Sequence, residues 1–152
     1  MTSLKERLRD DLTAAIKARD ELRSSTLRLT LTAVNRAEVA GTTKRELSDA
    51  EVVQVLQAEA KKRRDAATAF QDAGRAESAQ RERAEGEVLA EYLPKQLGDE
   101  ELAAIVAAAV AESGASGPQG MGAVMKLVRP KVEGLAEGGR VAAVVKAALT
   151  GR

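Results

Sequence analysis

Apolar residues recur at helical spacing along almost the whole chain. Leu4, Leu8, Leu12 and Ile16 stand four apart and predict one stripe on a first helix, opened by a capping box of Ser3 as N-cap and Glu6 three residues on. A break at 18–20 precedes a second helix over 21–40, with Leu27, Leu31 and Val34 on one side and Gly41 as its closing residue. Ser48 and Glu51 repeat the capping box. The third helix runs to about residue 73, with Val52, Leu56, Ala60, Ala67 and Phe70 inward, and stops at Gly74. A fourth, over 75–92, is polar for two turns before Ala84, Val88 and Tyr92 form a stripe.

Pro94 ends that pattern, and 94–98 reads as a linker. Beyond it, 99–112 is amphipathic through Leu102, Ile105, Val106, Ala109 and Val110, and 114–120 reads as a loop. Met121, Val124, Met125 and Val128 mark a short helix. Pro130 has no N–H for the Lys126 carbonyl, so the helix should bend or end there. After a turn-rich break over 134–139, Val141, Val144, Val145, Ala148 and Leu149 mark the last helix. The expected fold is all-α: an extended helical N-terminal domain over 1–93, a linker over 94–98 and a small three-helix C-terminal domain over 99–152.

Composition supports this class and removes much chemistry. One Phe, one Tyr and no Trp among 152 residues leave little for a β-sandwich or barrel. With no His and no Cys, the chain has no His-assisted nucleophile, thiolate, disulfide, zinc finger or iron–sulfur site. Acid–base work would fall to Asp, Glu, Lys or Tyr92. The acidic pairs Asp10–Asp11, Asp20–Glu21 and Glu100–Glu101 sit where they favour helix starts or solubility. Tyr92 beside Pro94 reads as an anchor packing the two domains together. No catalytic constellation, metal-ligand set or cofactor motif emerges. The longest apolar stretch, within 102–111, is about half a membrane span, and 1–12 lacks the apolar core of a signal peptide. A cytoplasmic, membrane-free protein is expected.

The net charge is +1, but its distribution is uneven. Residues 1–97 carry 18 basic and 17 acidic side chains, whereas 98–152 carry 6 of each and most of the Gly, which marks the domain boundary. The densest basic run is Lys61, Lys62, Arg63 and Arg64. Four consecutive helical residues fan through roughly 300°, so they cannot share one face. They suit phosphate contact, or a solvated face with partners such as Glu59 for Arg63. Arg75, Arg81 and Arg83 alternate with acids and read as a solubilising face. Arg23, Arg28 and Arg36, spaced by five and eight, make only a loose stripe. In the C-terminal half, Lys126, Arg129 and Lys131 form the one basic cluster, on a segment entered from the glycines of 117–120. Phosphate contact and a plain loop-and-core reading both remain open there.

Four stretches, taken in order, resemble the stand-alone members of the GatB/YqeY family: LKERLRDDLTAAIKARDELRSSTLRLTLTAVNRAEV, EAKKRRDAATAF, EYLPKQL and MGAVMKLVRPKVEGLAEGGRVAAVVKAAL. The resemblance implies a helical domain followed by a three-helix domain similar to the tail of the GatB component of the aspartyl/glutamyl-tRNA amidotransferase. In that enzyme the tail helps to hold tRNA. It also implies, at family level, carbon–nitrogen ligase activity with glutamine as amide donor; separately, the high Ala and Arg usage suits a GC-rich bacterial genome. The resemblance makes Lys126, Arg129 and Lys131 the first RNA-contacting candidates and Lys61, Lys62, Arg63 and Arg64 the second. The expected partner is tRNA or a tRNA-handling enzyme; the alternative is a protein-interaction adaptor.

Overall fold

The computed structural model describes residues 2–151. It contains seven α-helices in the order α1 (Leu4–Lys17), α2 (Glu21–Glu38), α3 (Asp49–Asp72), α4 (Ala76–Ala90), α5 (Asp99–Ser113), α6 (Met121–Val132) and α7 (Gly138–Leu149), with a 3₁₀ turn at Pro118–Gly120. No strand occurs among the described residues, so the fold is all-α.

Local chemistry explains most boundaries. Ser3 Oγ accepts from the Glu6 N–H at 3.1 Å and opens α1. At α3 the full reciprocal box is present: Ser48 Oγ accepts from the Glu51 N–H, and the Ser48 N–H donates to the Glu51 carboxylate. Gly74, at φ +75°, closes α3, its N–H donating to the Gln71 carbonyl and that of Arg75 to the Phe70 carbonyl. This pair of bonds is a Schellman ending, which favours glycine. α1 ends in the same motif with Arg19 in the left-handed position, at φ 58°. α2 stops at Glu38 with Val39 as its cap, earlier than expected, and Gly41 does not take a positive φ.

The chain divides into two compact units, Met1–Leu93 and Pro94–Arg152. The core of the first gathers Leu8, Leu27, Leu31, Val34, Val52, Leu56, Ala60, Val88, Leu89 and Tyr92. The core of the second gathers Leu102, Val106, Ala109, Val124, Val128, Val132, Ala136, Val141, Val145 and Leu149. Within the second unit the leading segment is held by the Leu97 N–H donating to the Leu135 carbonyl at 2.8 Å, and by Arg140 donating to the Leu97 carbonyl and the Asp99 carboxylate.

Several expectations need correction. Ile16 is 51% exposed. Residues four apart drift about 40° per step around a helix of 3.6 residues per turn, so the stripe from Leu4 has rotated out of the core by Ile16. Phe70 is only half-buried and Ala148 is exposed. Leu89, absent from the expected core, is fully buried. α6 does not end at Pro130 but continues to Val132. Pro130 lies exposed in the last turn. Losing one backbone bond there costs less than withdrawing the buried Val132 from the core.

Candidate nucleic-acid interface

α6 is built by spacing. Val124, Val128 and Val132 follow at four-residue intervals and are buried, with Met121, Met125 and Leu127 packed at the margins. The entry is sterically tight: a Cβ on Gly120 would stand 2.6 Å from the Ala115 Cβ, so a side chain there would push the turn off the helix start. What faces solvent on α6 is basic. Lys126, Arg129 and Lys131 are exposed, and the helix contains no carboxylate. None of the three has a partner among the described residues. Lys126 and Arg129 are one turn apart and share a face, whereas Lys131 lies about 150° round the helix from them. Two of the three candidates therefore act together, and Lys131 approaches from the flank.

The run Lys61–Arg64 is divided by the fold. Lys61 donates to Asp65 at 2.7 Å, and Lys62 pairs with Glu59 at 2.9 Å. Arg63 turns into the packing of α3 against α4, its side chain 17% exposed, and stands 3.6 Å from both Glu82 and Glu85 and 3.9 Å from Glu59. Its Nε and one Glu82 oxygen have no hydrogen-bond partner, so this buried charge cluster is held by proximity more than by directed bonds. Arg64 is exposed and engages a neighbour of its own. The four do not form one phosphate-facing surface.

Elsewhere in the first unit the pairing is dense. Arg23 donates in a fork to Glu91 at 3.0 and 2.8 Å, and Arg81 does the same to Glu21 at 2.9 and 3.1 Å. Each arrangement raises the arginine further above its ordinary value and lowers its carboxylate. Tyr92 is buried within this unit: its hydroxyl donates to Asp11 at 2.6 Å and accepts from Arg23 at 3.3 Å, and Arg7 lies 4.6 Å over its ring. Burial, then the bond to Asp11, pushes the phenol up to about 12.

A cleft of about 250 Å³ is lined by Lys5, Arg9, Glu38, Lys44 and Glu46. Glu38 is its buried member. It accepts from Lys5 at 2.6 Å and from the Leu47 N–H at 3.3 Å, and Lys5 is the main reason its carboxyl is held below the usual range. No sequence signal links Lys5 to Glu38, 33 residues away.

Arg28 and Arg36, which the sequence shows only as part of a loose stripe, emerge as exposed cations without partners among the described residues, while Arg23 leaves that stripe for Glu91. A signal for this does exist in the sequence: neither has an acid three or four positions away on its helix. Among the described residues no group of three or more His, Cys, Asp or Glu is arranged to hold a metal ion. No helix of those residues is long and apolar enough to cross a membrane.

The profile of a family described as Yqey-like protein matches residues 5–149, which is nearly the whole chain. No curated protein matches the chain at a significant level.

Proposed function

The chain belongs to the Yqey-like protein family, and from that premise we propose that it binds tRNA, or a tRNA-handling enzyme, mainly through backbone phosphates, and that α6 carries the tRNA contact. The observation that carries this reading is that the exposed cations of the carboxylate-free α6, Lys126 and Arg129 on one face and Lys131 on another side, have no partner among the described residues. Arg and Lys contact phosphate oxygens without reading sequence. One Phe and one Tyr give the chain almost no platform for stacking single-stranded bases, so recognition is led by shape and charge. The resemblance to the amidotransferase tail supports the same ligand.

Reversing the charge at Lys126, Arg129 and Lys131 together tests the reading. The three side chains are exposed, so helix content should be retained while tRNA affinity falls by at least about tenfold. Unchanged affinity would move the binding surface away from α6.

A second reading, a protein-interaction adaptor, draws on Ile16, Leu29 and Val39, which are 51, 47 and 55% exposed. Its mark would be a stoichiometric complex with one purified protein that survives nuclease and is weakened by Leu29→Ser.

A further inference from the structure

Charge in the first unit is segregated by its ion pairs, and neither the net charge nor the sequence order reveals this. Four acids of the α1–α2 hairpin have named partners, whereas Glu6 and Asp10 on α1 have none among the described residues. Asp11 accepts from Tyr92 and lies 3.9 Å from Arg7, Glu21 is held by Arg81 of α4, and Glu38 is held by Lys5. Asp20 caps α2 by accepting from the Arg23 N–H. The cations of the hairpin are largely unmatched. Arg9, Lys17, Arg19, Arg28 and Arg36 have no partner among the described residues, and Lys44 on the loop that follows contributes only its field at Glu38. By contrast Arg45, Lys61, Lys62, Arg63 and Arg81, which lie further along the chain, all pair with carboxylates. Arg75 and Arg83 pair with no carboxylate either, so what sets α2 apart is that Arg28 and Arg36 stand on a helix whose two acids, Glu21 and Glu38, are both engaged elsewhere.

On α2 this charge has a defined shape. Arg28, Leu29, Thr32, Asn35 and Arg36 are all exposed. At 100° per residue they lie within an arc of about 120°, opposite the buried Leu27, Thr30, Leu31 and Val34. Arg28 and Arg36 are separated along the axis by about 12 Å. Between them stand the Asn35 amide, which has no partner among the described residues, and Thr32, whose hydroxyl donates to the Arg28 carbonyl and keeps its acceptor capacity. The strip contains Arg, Asn and Thr, the side chains that commonly contact phosphate and sugar, and no acid. Leu29 is the one apolar member between Arg28 and Arg36, and Val39, the exposed cap of α2, follows just beyond them.

We infer that the α1–α2 hairpin is a second phosphate-binding face, centred on Arg28 and Arg36, through which the first unit engages the same RNA that the second unit engages through α6. The inference rests on the proposed tRNA binding. It makes the protein a two-site ligand for RNA: each site adds its own phosphate contacts, and the tether between units raises the effective concentration of the second contact once the first has formed.

The test is the salt dependence of full-length protein binding to bulk tRNA, compared for the wild type, for Arg28→Gln with Arg36→Gln, and for the α6 triple reversal. Neutralising two phosphate contacts should make the log–log slope shallower by about 1.4 to 1.8, with a matching loss of affinity at low salt. Arg28→Lys with Arg36→Lys keeps both charges and should keep the slope. Since neither arginine has a partner among the described residues, helicity and Tm should stay at the wild-type values in both variants. A wild type that does not bind tRNA overturns the RNA reading and this inference together. Binding that is lost in the α6 variant but retains its full slope in the Gln variant overturns the second face alone. Labelled polyglutamate is the control polyanion: if the Gln pair weakens its binding and leaves the tRNA slope intact, the face serves an acidic protein segment, and the RNA assignment falls.

Discussion

Arg63 and Lys61 stand two positions apart on α3 and answer to different physics. Lys61 pairs with Asp65 at the surface, where both groups keep most of their hydration, so Lys61→Ala should change stability by no more than about 0.5 kcal/mol. Arg63 balances three glutamates in the packing of α3 against α4. Arg63→Ala leaves Glu59, Glu82 and Glu85 without it and should cost about 3 kcal/mol in urea unfolding. A smaller loss than Lys61→Ala produces would contradict the assignment. Single groups also set the pH limits. Tyr92 ionises near 12 instead of its ordinary 10, so its contribution is full below pH 10 and is lost as pH rises towards 12. As the only Tyr, in a chain without Trp, it can be followed directly by tyrosinate absorbance; a midpoint at 10 in the folded protein would show that the burial and the bond to Asp11 are wrong. At the acid end, Arg45, then the Ser48 N–H, hold Glu51 down to about 2 from 4.5. Its stabilising effect is present above 4.5 and fades as pH falls through that interval.

Among the elements, α1 and α3 end in the same Schellman motif, one with Arg19 and the other with Gly74 in the left-handed position. Left-handed backbone costs a residue with a Cβ roughly 1 kcal/mol, so Arg19→Gly should raise stability by about that amount. A fall in Tm would show that the Arg19 side chain has a role in folding. α5 starts at Gly98, whose N–H donates to Glu101 at 3.0 Å but which has no side chain to return the bond. Gly98→Ser supplies the missing oxygen at a backbone already extended, φ −74° and ψ 169°, and should add a few tenths of a kcal/mol. Helix starts of this kind are legible in the sequence, because the cap and its partner are three residues apart. The buried faces are legible where spacing alternates between three and four, as in Leu27, Leu31 and Val34. Ile16 misleads because a strict four-residue repeat drifts, and Pro130 because its cost has to be weighed against the buried Val132 beyond it.

For the whole molecule, the two charge-rich candidates of the sequence fare differently. Lys126, Arg129 and Lys131 are exposed, and every other position on α6 is apolar or small. The run Lys61–Arg64 is dispersed among partners, and the partners of Arg63 on α4 lie some twenty positions away, beyond the reach of any local pattern. The same long-range pairing leaves the hairpin cations unmatched. The potential of this protein is therefore a property of which acids the fold assigns to which bases, and a net charge of +1 conceals it. Phosphate-led binding is tested most directly by the affinity of the wild-type chain for bulk tRNA over a range of salt, with duplex DNA as the control. Saturable tRNA binding, stronger than DNA binding and falling with a log–log slope of about −2 or steeper, is the expected result for the three cations of α6; no tRNA binding at low salt would contradict it.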